Sequence, residues 1–125
     1  VTFINDTTAT IPEAAVCAVK SISAKSLVWI GGGTDKNLDF TCIKEIENIP
    51  RMIYLLKGTG TDKIKNVISR KDIKEVSSLE EVFSDMLSKL KSEDVVLLSP
   101  GCTSFGLFQN EFHRGRVFNE CVNKL

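Results

Sequence analysis

The residues of this chain best suited to chemistry fall in three short polar stretches. Asn5-Asp6-Thr7-Thr8-Ala9-Thr10 packs one carboxylate and three hydroxyls ahead of a predicted helix start. Gly31-Gly32-Gly33-Thr34-Asp35-Lys36 sets a cation beside a glycine turn, and Ser99-Pro100-Gly101-Cys102-Thr103-Ser104 is a loop of small residues leading to Phe105. Hydroxyls next to a helix N-terminus accept anions well. A lysine at the end of a strand adds a fixed cation that suits a carboxylate as well as a phosphate.

The glycine turn does not carry a nucleotide signature. A P-loop requires G-x-x-x-x-G-K-[ST], whereas Lys36 follows Asp35 and Asn37 stands where Ser or Thr is needed. A dinucleotide G-x-G-x-x-G fails as well, because position 36 is lysine. A strand-to-helix turn using glycine for positive φ explains the segment equally well. Gly58–Lys63 reads more simply still, as a tight turn with a threonine N-cap.

Other candidates carry bland readings. Cys102 with His113 as base would make a thiol nucleophile, but no acid supports the pair. Cys102 therefore reads as a small packed residue and His113 as a surface residue. Arg114 and Arg116, among Glu111 and Glu120, read as a solvated helix face. Phe105, Phe108 and Phe112 read as packing, since no basic patch accompanies them to make a base-stacking platform. Four scattered cysteines without a C-x-x-C pair, and one histidine, argue against zinc.

The elements that must position these loops follow from periodicity. Continuous apolar runs predict strands at Val1–Asn5, Leu27–Ile30, Met52–Leu56 and Val95–Leu98, with a minimal one at Glu75-Val76. Thr10-Ile11-Pro12-Glu13 predicts a helix start with Thr10 as N-cap, Glu13 closing a capping box and proline in the first turn. Ala14, Ala15, Ala18, Val19 and Ile22 share its inner face. A short helical segment lies near Cys42–Glu47, ended by Pro50, and a helix covers Thr61–Ser69. Ser78 and Glu81 form a second capping box. Behind it runs a stripe of Leu79, Val82, Phe83, Met86, Leu87 and Leu90. Phe118, Cys121, Val122 and Leu125 make the inner face of the last helix. Alternation of buried strands with helices predicts an α/β fold: a Rossmann-like three-layer α/β/α domain whose mostly parallel sheet has about five to six strands. Ligands in such sheets bind beyond the strand carboxyl ends, where all three polar stretches stand.

The whole chain sets outer bounds. Its 125 residues make one ordinary domain, residues 1–125. Sixteen basic and sixteen acidic residues leave no surplus for nucleic acid or an anionic membrane surface. No apolar run approaches the roughly 20 residues that span a bilayer, and no signal peptide is visible. Free cysteines fit a reducing, cytoplasmic setting. The first residue is valine in an apolar-rich start, so the chain reads as cut from something longer.

Taken in order, "INDTTAT", "GGGTDKNLDF" and "VVLLSPGCTSFGLFQNEFHRGRVF" resemble the C-terminal domain of a Mur ligase, over almost the full length from Asn5 to Leu125. The resemblance is nearest to the branch whose acceptor is D-glutamate and whose other substrate is UDP-N-acetylmuramoyl-L-alanine. The D-N-P-R-type signature of ligases that add diaminopimelate is absent. The resemblance implies a bacterial, cytoplasmic, ATP-dependent step of peptidoglycan precursor synthesis, through an acyl phosphate and with Mg2+. It implies that Lys36 pairs with a D-glutamate carboxylate, and that Thr10 and Ser104 hydrogen-bond the same amino acid. It also implies that Asp6 lies near the ATP. Where the family often carries lysine two residues after that aspartate, this chain has Thr8, also on the ATP side. An aromatic residue helps bind the glutamate near position 111 in some relatives; here the nearest is Phe112. The P-loop and the lysine that the family carbamylates are expected upstream, together with the UDP-sugar and ATP-binding domains. The 125-residue piece is thus expected to be inactive alone, and it offers no evident general base. Two other readings stay open: a folylpolyglutamate synthetase-like domain taking L-glutamate, and a free-standing Rossmann-like module that senses a small anion.

Overall fold

A computed structural model describes residues 1–22 and 26–125. Five strands, β1 (Thr2–Asn5), β2 (Leu27–Gly32), β3 (Met52–Leu56), β4 (Ile73–Val76) and β5 (Val95–Leu98), form one sheet in the order β1-β5-β2-β3-β4. Every pairing is parallel. Four α-helices connect or follow them: α1 (Pro12–Ser21), α2 (Thr59–Val67), α3 (Leu79–Met86) and α4 (Glu111–Asn123). A 3₁₀ segment, Thr41–Ile46, takes the place of a helix between β2 and β3. The α/β three-layer expectation holds, with five strands.

The apolar strand runs have a direct physical cause. Side chains alternate across a strand, so a sheet covered on both faces buries every position. Leu27, Trp29, Ile53, Leu55 and Leu97 face α1, the 3₁₀ segment and α2. Val28, Ile30, Tyr54, Leu56, Val96 and Leu98 face α3 and α4. On that second face Phe83 packs edge-on against Phe118, with centroids 5.6 Å apart.

Several local expectations are corrected. Thr10 does not cap α1. Pro12 occupies the first helical turn and holds the preceding Ile11 extended (φ −125°, ψ 152°), which makes Ile11 the N-cap and leaves it without a side-chain cap hydrogen bond. β2 runs through Gly31 and Gly32, which pair with Leu55 and Leu56, so the turn begins only at Gly33. α2 starts at Thr59, two residues early, because Thr61 gives its hydroxyl to the Leu56 carbonyl instead of capping. Beyond Met86 the chain tightens to a 3₁₀ turn, Leu87–Lys89, which rotates Leu87 out to 46% exposure and breaks the expected stripe. Leu125 lies past the end of α4 and is exposed. The second capping box is confirmed with one change. Glu81 N–H donates to Ser78 Oγ at 3.1 Å, while the Glu81 carboxylate takes the N–H of Ser77, not of Ser78, at 2.8 Å.

Opposite the polar loops, the amino ends of β2, β3 and β5 are tied by a buried carboxylate. Asp94 accepts 2.5 Å from Arg51 Nη2, 2.7 Å from the Lys91 N–H, and the Ser26 hydroxyl. Burial works to raise its pKa, but hydrogen bonds from Arg51 and Ser26 outweigh that and hold it at about 2, against an ordinary 3.8. The folded chain therefore gives up this proton more readily than the unfolded chain. The contribution of Asp94 is complete above the ordinary carboxyl range and is lost as the pH falls toward about 2. On acidification through that window we expect wild type to lose about 2 kcal/mol more stability than Asp94→Asn, measured as urea midpoints from pH 5 down. Parallel loss in both proteins would contradict this role.

Candidate functional site

β5 lies between β1 and β2, so the loops that follow these three adjacent strands meet at one end of the sheet. They are bonded to one another through the main chain. Gly101 N–H donates to Ala9 O at 2.8 Å and Gly32 N–H to Pro100 O at 2.9 Å. Thr34 and Thr103 exchange two hydrogen bonds, 3.1 and 3.0 Å, in an isolated antiparallel bridge. The Trp29 indole N–H, reaching up from the core, donates to Ser99 O at 2.8 Å.

The glycine turn is engaged by protein groups. Gly33 O accepts from the N–H groups of Gly60, at 2.8 Å, and Thr61, at 3.3 Å, while Gly33 N–H donates to Thr61 Oγ1 at 3.1 Å. The Gly60 and Thr61 amides in the first turn of α2 are thereby occupied. Gly33 has φ of +139°, and a Cβ there would stand 2.7 Å from Thr103 O, so no other residue fits. Asp35 continues the clasp: its N–H donates to Thr59 Oγ1 at 3.0 Å and its carboxylate pairs with Lys63 at 2.6 Å. Hydrogen bonds from the Leu38 N–H and from Lys63 hold the Asp35 carboxyl below its ordinary pKa. Asp35 and Leu38 are thus tied together, while Lys36 between them is exposed and makes no ion pair among the described residues.

Beside this clasp a cleft of about 210 Å³ is lined by Thr10, Lys36, Thr103, Ser104, Phe105 and Glu111. The structure brings together Thr10, Lys36 and Ser104, three of the residues singled out from sequence, one from each loop. Thr10 is available to the cleft because it does not cap α1. Phe112 is not among the lining residues and is 63% exposed; Glu111 stands at the cleft instead. Asp6 and Thr8 line a separate open groove along α1, with Ala14, Cys17 and Ala18. The Asp6 carboxylate accepts from Ser99 Oγ at 2.8 Å, and Thr8 is exposed.

Arg114 overturns the solvated-face reading. It is 1% exposed and donates to Thr7 Oγ1 at 3.0 Å, Thr7 O at 2.6 Å and Cys102 O at 3.0 Å, with no carboxylate partner among the described residues. Burial brings its pKa down to about 10, so it stays charged at neutral pH. A Cβ on Gly115 would stand 2.7 Å from Thr7 Cγ2, so glycine lets α4 approach the first loop closely enough for Arg114 to reach across. A glycine inside a helix costs about 1 kcal/mol against alanine, and the Arg-Gly pair was the available signal for this burial.

The packed reading of Cys102 stands: it is 1% exposed, and burial pushes its thiol up to about 12. His113 accepts from the Gln109 N–H at 3.1 Å through Nδ1 and lies edge-on to Phe108. Phe105, at 64% exposure, and Phe112 do not pack as expected; Phe108 does. No helix among the described residues is long and apolar enough to cross a membrane.

The chain is a parallel α/β domain with a small polar cleft at the carboxyl ends of its strands. No family model matches the chain. It is 40% identical over 129 residues to the UDP-N-acetylmuramoylalanine--D-glutamate ligase of Borreliella burgdorferi (strain ZS7), covering 100% of this chain and 29% of that protein. The enzyme of the same name from Aquifex aeolicus (strain VF5) is 39% identical over 94% of this chain and 29% of the relative. That of Treponema pallidum (strain Nichols) is 35% identical over 96% of this chain and 23% of the relative. The chain is homologous along its full length to part of these Mur ligases, and it spans less than a third of their length.

Proposed function

We propose that this chain is the C-terminal, acceptor-binding domain of an ATP-dependent ligase that joins D-glutamate to UDP-N-acetylmuramoyl-L-alanine in the bacterial cytoplasm. The observation that carries the reading is the convergence of Thr10, Lys36 and Ser104 on one cleft in a chain homologous to ligases of that name. D-Glutamate carries two carboxylates. The Lys36 ammonium pairs with one of them, and the Thr10 and Ser104 hydroxyls donate to the acceptor. Because all three side chains hang from loops tied by main-chain hydrogen bonds, the acceptor is oriented at little further entropic cost.

ATP, with Mg2+, supplies the phosphoryl group that activates the other substrate's carboxylate. Those groups belong mainly to the domains upstream of this one. Asp6 and Thr8 face that side, with Asp6 already engaged by Ser99. Among the described residues no three acidic, His or Cys side chains cluster to hold a metal. The 125-residue domain is on this reading a half-site without turnover of its own. The test is the reading frame upstream of Val1. A G-x-x-x-x-G-K-[ST] stretch between a strand and a helix is expected there, and a frame that lacks one would overturn the assignment to an ATP-dependent ligase.

A further inference from the structure

Of the six residues that line the cleft, two carry charge: Lys36 and Glu111. The glutamate is not a bystander of helix geometry. It occupies the first position of α4, after the N-cap Asn110, whose side chain accepts from the His113 N–H at 2.8 Å. Its own carbonyl accepts from Thr7 Oγ1 at 2.7 Å, which fixes its backbone against the first loop. Its carboxylate makes no hydrogen bond or ion pair among the described residues, and the partly buried residue lines the cleft.

A free carboxylate in a cleft meant for anions alone would repel the ligand it is there to hold. The contradiction disappears if the ligand brings a cation of its own. We propose that Glu111 recognises the amino group of the acceptor, so that the cleft is complementary to an amino dicarboxylate and not to a plain dicarboxylate. Lys36 and the hydroxyls take the carboxylates, and Glu111 takes the ammonium group as the acceptor enters. The buried Arg114, on the same helix, offsets the added negative charge from beneath. This role rests on the acceptor reading given above and sharpens it: the discriminating feature becomes the amine, at a position where sequence reasoning looked for an aromatic contact.

The test uses the full-length protein and two ligands with the same carbon skeleton, D-glutamate as substrate and glutarate, which lacks the amine, as competitive inhibitor. Glu111→Gln keeps shape and removes charge. It is expected to raise KM for D-glutamate about tenfold, the loss of one charge-assisted hydrogen bond, while the Ki of glutarate stays the same or tightens. An unchanged KM for D-glutamate would overturn the proposal. So would equal weakening of both ligands, which is what a merely structural role would give. The two readings fail differently. A wild-type protein that does not use D-glutamate removes the functional assignment, whereas a working wild type with an unaltered ratio in the variant removes only the role of Glu111.

Discussion

Lys36→Ala in the full-length protein is expected to raise KM for D-glutamate about tenfold or more, with KM for ATP little changed. A charge-assisted hydrogen bond contributes about 1.5–3 kcal/mol, and tenfold in affinity corresponds to about 1.4. Among the described residues Lys36 has no ion-pair partner to lose, so its removal orphans no charge there. The segment that carries it stays anchored by the Asp35–Lys63 pair and by the Thr59 hydroxyl, neither of which the substitution touches. The effect should therefore be confined to acceptor binding. Steady-state kinetics with each substrate varied in turn separates the possibilities: an unchanged KM for D-glutamate removes Lys36 from the site, and equal rises for D-glutamate and ATP point to a general distortion.

The second large effect belongs to stability. Arg114→Ala is expected to lower the unfolding free energy by about 3 kcal/mol, from about 1–3 kcal/mol for each buried acceptor left without a donor, offset in part by relief of a desolvated cation. Thr7 O and Cys102 O lose their donors, one from each of two loops that shape the cleft. For a domain of this size the melting temperature should fall by about 10 °C. Arg114→Lys should recover only part of the loss, because one ammonium group does not span acceptors that a planar fork reaches together. Urea unfolding of the three proteins checks this. A variant within about 0.5 kcal/mol of wild type would show that the guanidinium is no more than a surface charge.

The architecture was legible because a parallel sheet buried on both faces writes its strands as unbroken apolar runs, such as Val95-Val96-Leu97-Leu98, whose placement matches the sequence reading residue for residue. The three polar loops were legible because strand ends in such a sheet are where ligands bind. What local pattern could not show depends on partners distant in sequence. Thr61 looks like a cap until Gly33 arrives to compete for its hydroxyl. Thr10 looks like a cap until the extended residue before Pro12 moves the helix start. Arg114 carries the same charge as its exposed neighbour Arg116, and only the approach of Thr7 across Gly115 distinguishes them. Glu111 was visible as an acid but not as part of the cleft, because its place there depends on how α4 packs against the first loop.

The most direct test of the acceptor site is stereochemical. With ATP and UDP-N-acetylmuramoyl-L-alanine supplied to the full-length protein, ADP release is measured with D-glutamate and with L-glutamate in turn. ADP release that depends on D-glutamate and is nearly absent with its enantiomer is the expected result. Equal turnover with both, or turnover only when L-glutamate is added to a folate, would contradict it.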